Sequence, residues 1–293
     1  MDDTRKIARM PSRNSRPPVK VVAVTGGKGG IGKSAISANI ALSLALMGRR
    51  VMLLDGDLGL ANAHLMLGLR PRRTIRHVVR GECALKDAVV NGPAGLRFLA
   101  GANGFEDMAQ LTETEHAGII RCFSEYESRL DVLMIDTASG ISDSVLQFAG
   151  AANHSIVVVR NEPASIADAY SIIKLLYRAK RLERFSIVTN MCTGETGTRV
   201  FEHLQRTAER FLPVSLTHTA NIPADERLAR AVRCQRPVVT AFPRCPASRA
   251  LQRLALRVDG WEAPARPSGR LEFFVERLLA AGQPAPQLGE IAS

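Results

Sequence analysis

Short runs of β-branched and apolar residues recur along the chain with little alternation: "KVVAVT" at 20–25, "RVMLLD" at 50–55, "LRFLAG" at 96–101, "DVLMID" at 131–136, "SIVVVR" at 155–160 and "FSIVTN" at 185–190. A strand with one wet face alternates apolar and polar side chains, whereas a strand covered on both faces is apolar throughout. These six segments therefore predict buried parallel strands. Amphipathic stretches lie between them. "SAISANIALSLALMG" at 34–48 ends on Gly48 in a C-cap position, and "SIADAYSIIKLLYRAKRL" at 165–182 opens with Ser165 and Asp168 at capping-box spacing. Strand–helix alternation of this kind predicts an α/β fold, a doubly wound and mostly parallel sheet flanked by helices, with its ligand site at the carboxyl ends of the strands.

The pattern fails at both ends of the chain. Residues 1–19 hold Arg5, Lys6, Arg9, Arg13 and Arg16 against Asp2 and Asp3 in a Pro- and Ser-containing run without periodicity, which reads as a disordered basic arm. One domain is expected over 20–261, then a linker at 262–268 ("EAPARPS"), an amphipathic helix at 269–281 and a flexible tail at 282–293. In that helix Leu271, Phe274, Val275, Leu278 and Leu279 form one apolar face, while Arg270 and Arg277 are balanced by Glu272 and Glu276. A helix that lies on anionic lipid needs a basic polar face, so packing on the domain and contact with a membrane both stay open.

Composition narrows the class. With 293 residues and 46% apolar content the chain can bury a sizeable core. No apolar run approaches the roughly 18 residues that span a bilayer. The five cysteines form no C-x-x-C pair and the first 20 residues lack a secretory apolar segment, so a cytoplasmic protein with reduced thiols is expected. The formal charge of +11 raises nucleic-acid binding. Its excess outside the arm is arginine spread along helical segments with no aromatics to stack on bases, so it reads as a solvated basic face, and direct DNA binding is not expected.

The chemistry concentrates at Gly27-x-x-x-x-Gly32-Lys33-Ser34, which follows a predicted strand and opens a predicted helix. That context makes it a phosphate-binding loop: glycines let backbone N–H groups curl round a phosphate, Lys33 neutralises the terminal phosphates, and the Ser34 hydroxyl reaches Mg²⁺. Two other predicted strands end in acids, Asp55 and Asp57 in "LLDGDLGLAN" and Asp136 in "LMIDTASG". Phosphoryl transfer to water needs one carboxylate on the metal's water shell and another to orient the attacking water; Asp57 and Asp136 fit those needs.

A second lysine, Lys28, sits in the same glycine-rich loop. "KGGIGKS" resembles the deviant phosphate loop of the MinD/ParA class of ATPases, in which the early lysine reaches across a dimer interface. "VTGGKGGIGKS", "RRVMLLDGDLGLANAHLMLGL", "EHAGII", "DVLMIDTASGISDSVLQF", "NEPASIADAYSIIKLL", "AFPRCPAS" and "GRLEFFVERLL" together are similar to the FlhG (FleN) family of MinD-like flagellar regulators, over about residues 20–281. The resemblance implies that Gly27, Lys28, Gly29, Gly30, Ile31, Gly32, Lys33 and Ser34 wrap ATP. It implies that Lys28, Lys33 and Asp57 are catalytic, that Ser34, Asp57 and Asp136 serve Mg²⁺, and that Asn190 and Asp225 lie near the base. It further implies an ATP-dependent homodimer controlling flagellar number and placement. The implied partners are the flagellar GTPase FlhF and, in some lineages, a σ54-dependent activator of flagellar genes, with the inner membrane or cell pole as a peripheral location.

Three positions depart from the family: Gly56, His64 and Ser139 replace alanine, aspartate and alanine. An N-terminal GTPase-stimulating motif seen in some relatives is unsupported, because Asp3 and Arg9 keep its spacing but Thr4, Arg5 and Ala8 do not match. A ParA-type DNA-partitioning ATPase and a MinD-type division-site regulator are the competing functions. A nitrogenase-type iron protein needs cysteines beside the switch segments, and a bacterial tyrosine kinase needs a tyrosine-rich tail; the last tyrosine here is Tyr177.

Overall fold

Every residue of β1 (Lys20–Thr25) is buried. Its side chains alternate between two cores, Val21 and Ala23 entering one, Val22 and Val24 the other, as the two-residue repeat of a strand dictates. A continuous apolar run is thus the sequence of a strand with helices on both faces. The computed structural model describes residues 18–57, 62–101, 123, 130–262 and 275.

The chain continues through α1 (Lys33–Leu46), β2 (Val51–Gly56), α2 (Ala63–Met66), α3 (Ile75–Val79), α4 (Leu85–Ala88), β3 (Val89–Asn91), β4 (Arg97–Ala100), β5 (Val132–Thr137), α5 (Asp143–Ala151), β6 (His154–Val159), α6 (Pro163–Lys180), β7 (Arg184–Asn190), α7 (Gly194–Phe211), β8 (Ser215–Ile222), α8 (Glu226–Arg233), α9 (Val238–Ala241) and α10 (Pro246–Asp259). The described strands form one sheet in the order β3-β4-β2-β5-β1-β6-β7-β8. All pairings are parallel except that of β3 with β4. From β1 the chain winds to one side and from β5 to the other, so the crevice at the carboxyl end of β1 is the topological switch point where such sheets bind ligands. The predicted fold class is the one observed.

The six predicted strands are all present. β8 and β3 were not predicted. β8 is an edge strand with a mixed exposed and buried pattern over "SLTHTANI", and β3 is a three-residue antiparallel addition. The expected capping box at Ser165 is overturned. The helix begins two residues earlier, with Pro163 in its first turn and Glu162 as N-cap; the Ser165 hydroxyl is buried and accepts the Arg160 N–H at 3.0 Å. The expected end of α1 holds: Gly48 has φ +84° and the Arg49 N–H reaches back to the Leu44 carbonyl, the six-to-one bond of a Schellman turn.

Lys20 opens β1 and is buried. Its ammonium donates to the carbonyls of Val258 at 2.8 Å and Asp259 at 2.7 Å, so it caps the carboxyl end of α10, where a cation is favoured. The expected arm (but for positions 18 and 19), the tail and nearly all of the linker and amphipathic helix lie outside the described residues. Val275, on the apolar face of that expected helix, is helical and fully buried in the core on the α5–α6–α7 side.

Candidate nucleotide site

The loop between β1 and α1 is shaped by contacts that only glycine allows. Gly32 has φ +96° and a Cβ there would stand 2.4 Å from Asn190 Nδ2; a Cβ on Gly27 would stand 2.3 Å from that of Asp168. The Asn190 amide donates to the Ile31 carbonyl at 2.7 Å and its oxygen accepts the Met191 N–H at 2.9 Å. The end of β7 therefore clamps the loop. At the start of α1, Gly32 offers no side-chain cap and the first turn carries no acid. Free N–H groups at a helix start fit an anion.

Lys33 and Lys28 part company. Lys33 is buried, and its ammonium donates to the Lys28 carbonyl at 3.2 Å. Burial lowers its pKa, while Asp136 and Asp57 raise it in opposition. Lys28 points outward with 48% of its side chain exposed, and it pairs with Glu162 Oε2 at 2.9 Å. Glu162 also meets Arg160 at 3.3 Å, and its carboxyl is held below the usual range mainly by the Lys28 hydrogen bond.

The acids come together as expected. Asp55 and Asp136 are register partners on β2 and β5, both buried. Asp55 accepts the N–H groups of Asp57 at 3.2 Å and Ala63 at 3.1 Å, tying down the two described ends of the segment it flanks. Burial, then Asp136, raises its pKa to about 8. Burial also raises Asp136 to about 6, with the Ser34 and Ser37 hydroxyls and Lys33 pulling down. One Asp136 carboxylate oxygen is buried with no hydrogen-bond partner. An orphaned carboxylate oxygen beside Ser34 fits a water of a Mg²⁺ shell. Among the described residues no three His, Cys, Asp or Glu side chains form a metal cage, and Mg²⁺ at phosphates relies instead on waters, phosphate oxygens and one or two side chains.

On the other side of the loop a cavity of about 600 Å³ is lined by Gly30, Lys33, Ser34, Asn190, Pro223 and Asp225 among others. The fold thus brings Asn190 and Asp225 to the phosphate loop. Both Asp225 oxygens are engaged by backbone: Oδ1 accepts from Arg227 at 2.9 Å and Oδ2 from Ala247 at 3.0 Å. Its visible work is to join the starts of α8 and α10 in the cavity wall.

The departing residues find places too. Gly56 ends β2 where a Cβ would come within 3.2 Å of the Phe148 ring, so alanine would crowd it. Ser139 Oγ lies 3.7 Å from a Cβ built on Gly29, facing the loop. His64 sits edge-on to Phe98, with ring centroids 6.4 Å apart, and burial lowers its pKa. Sequence reasoning did not reach Glu162: its pairing with a lysine 134 positions away leaves no local pattern.

A phosphate loop at the switch point of a doubly wound sheet, with acids closing two neighbouring strands, defines a P-loop nucleoside triphosphatase. Residues 22–238 match the CobQ/CobB/MinD/ParA nucleotide-binding domain. The chain is 49% identical to the antiactivator FleN of Pseudomonas aeruginosa across 92% of its own length and 97% of FleN. It is 31% identical to the flagellum site-determining protein YlxH of Helicobacter pylori across 89% and 90% of the two chains. A chain of the MinC:MinD cell division complex of Aquifex aeolicus superposes with a TM-score of 0.67 at 26% identity, covering 85% of this chain and 98% of that one. The chain belongs to the MinD/ParA family of P-loop ATPases and is closely related to FleN (FlhG). ATP binding and hydrolysis follow from that membership.

Proposed function

We propose that this ATPase is an ATP-dependent dimerising switch that sets flagellar number and placement. The observation that carries the reading is the 49% identity to FleN over nearly the whole of both chains, and the similarity to YlxH supports it. The partners that fit are an FlhF-type flagellar GTPase and a σ54-dependent activator, the second in keeping with the antiactivator role in FleN's name. The reading assigns one ATPase domain to 20–261 and a terminal amphipathic helix to 269–281; the burial of Val275 in the core supports packing of that position on the domain.

The site's residues divide the work. Lys33 and the loop N–H groups bind the phosphates of the protomer's own ATP, and Asn190 keeps the loop in the shape that does so. Mg²⁺, when bound, would neutralise charge on the phosphate oxygens, and Ser34 and Asp136 are the residues that would hold it. Asp57 accepts a hydrogen bond from the attacking water and orients it. Lys28 supplies positive charge to the partner's nucleotide, as an arginine finger does. In the isolated protomer Glu162 holds Lys28 in place, so dimerisation exchanges that carboxylate for phosphate.

Deleting the gene and counting flagella per cell tests the reading. A changed number or position is expected. Unchanged flagella would sink it, and minicells with normal flagella would favour a MinD-type division role.

A further inference from the structure

At the amino ends of β6, β7 and β8 one face of the sheet turns polar. Phe185 and Leu216 enter the core on the α5–α6–α7 side, so by the two-residue repeat Arg184, Ser186, Ser215 and Thr217 stand on the opposite face, the one that α10 covers. Arg184 is the register partner of Ser215, and Ser186 that of Thr217, which sets the four side chains in a block. His154 extends it on β6, two residues before Ile156, the register partner of Ser186. Farther along the same face Ile156, Val158 and Val188 are apolar and fully buried. The polar block lines a cavity of about 500 Å³. Trp261, just past α10, forms another wall with its ring centroid 4.8 Å from that of His154, and Glu262 lies beside it. Among the described residues the Arg184 guanidinium and the hydroxyls of Ser186, Ser215 and Thr217 have no hydrogen-bond or ion-pair partner. A ligand can therefore engage them without breaking any bond of the fold. Burial, with Lys20 and Arg184 adding to it, lowers the pKa of His154. The imidazole is a neutral surface, and Arg184 supplies the cavity's positive charge.

We propose that this cavity is a second small-molecule site and takes a nucleoside monophosphate. Its volume falls within the range of about 300–1,000 Å³ usual for small-ligand sites, and its lining matches that molecule part by part. Arg184 can meet the phosphate with two parallel N–H donors. The three hydroxyls and the Glu262 carboxylate suit sugar hydroxyls and base amino groups, and the Trp261 indole offers a planar surface to a base. One arginine beside an acid suits a single phosphate, because a triphosphate would bring several negative charges against one cation. The cavity lies at the opposite end of β7 from Asn190, about 20 Å away by the rise of a strand, so it is distinct from the ATP site. The inference is independent of the flagellar reading.

Trp261 is the sole tryptophan of the chain, so intrinsic fluorescence reports on this cavity directly. In the full chain AMP or GMP should change that fluorescence saturably, with half-saturation below about 1 mM. Arg184→Gln should weaken the response about 10- to 100-fold, and the phosphate-free nucleosides should bind the wild-type chain as weakly as that. Thr217→Val keeps the β-branched shape and should cost about 2- to 10-fold. Melting temperature and ATP turnover serve as folding controls for both variants and should stay at wild-type values. Lys33→Ala, which disables the phosphate loop, should keep the response. No saturable change up to about 10 mM of either nucleotide overturns the proposal. So does a response lost in Lys33→Ala, which assigns it to the ATP site, or one that Arg184→Gln leaves intact. Nucleosides that bind as tightly as the nucleotides would equally overturn it.

Discussion

The two halves of the phosphate loop meet opposite environments. Residues 31–34 lead into the start of α1, where Lys33 is buried between its own loop and the carboxylates of Asp57 and Asp136. Gly27 abuts Asp168 of α6, and Lys28 and Gly29 beyond it are exposed, so that Lys28 reaches toward solvent and pairs with the Glu162 carboxylate. A buried ammonium among acids serves one site only, because moving it would strand several charges in a poorly hydrated place. An exposed pair is weak and screened by salt, so Lys28 can leave Glu162 for a stronger anion. The contrast separates a lysine that binds from a lysine that can be handed over.

The largest effect on nucleotide affinity should come from Lys33→Ala. Losing two charge-assisted bonds at about 1.5–3 kcal/mol each lowers nucleotide affinity by about 10²-fold or more, which titration with a fluorescent ATP analogue measures. Asp57→Ala should leave that affinity near wild type and cut turnover by about 10²–10⁴-fold, with the ATP-bound dimer accumulating in light scattering. An equal loss of affinity in both variants would erase the distinction between holding phosphate and orienting water.

Glu162→Gln acts on the other half of the loop. Without the carboxylate that detains it, Lys28 is free before the partner arrives, so the dimer should form at about two- to fivefold lower ATP. Added salt should narrow this difference. A higher ATP requirement in Glu162→Gln would show that Glu162 supports assembly instead of opposing it.

The smallest predicted effect is a pH dependence of the metal- and nucleotide-free protein. Asp55 and Asp136 have folded-state pKa values near 8 and 6, raised chiefly by burial. The folded state therefore binds more protons than the unfolded one between the usual carboxylate range and those values, and stability must fall as pH rises through them. Melting temperature, measured with EDTA present, should decline from pH 5.5 to pH 8.5, and Asp55→Asn should flatten the upper part of the decline. A rising melting temperature over that interval would contradict the burial of these acids.

How much of this was legible depends on how local each cause is. The phosphate loop, the strand-end acids and the six apolar strands are written in consecutive residues, and they stand where the sequence puts them. β8 escaped because this edge strand mixes polar with apolar residues, Ser215 and Thr217 exposed and Thr219 buried, which breaks the apolar-run rule for central strands. The misplaced start of α6 came from reading Ser165 by its type, when Pro163 two residues earlier already satisfied the first turn. The Lys28–Glu162 pair and the bond from Ala247 to Asp225 depend on contacts between distant segments. No periodicity announces that Asn190 fixes a loop 159 positions away.

Whether Lys28 works in trans is decided by Lys28→Ala. Light scattering on the protein eluting from a sizing column with ATP and Mg²⁺ reports assembly, and a phosphate-release assay on the same sample reports chemistry. Lys28→Ala should bind ATP, remain monomeric and hydrolyse about 10³-fold more slowly. A monomeric Lys28→Ala protein with the wild-type rate would contradict it.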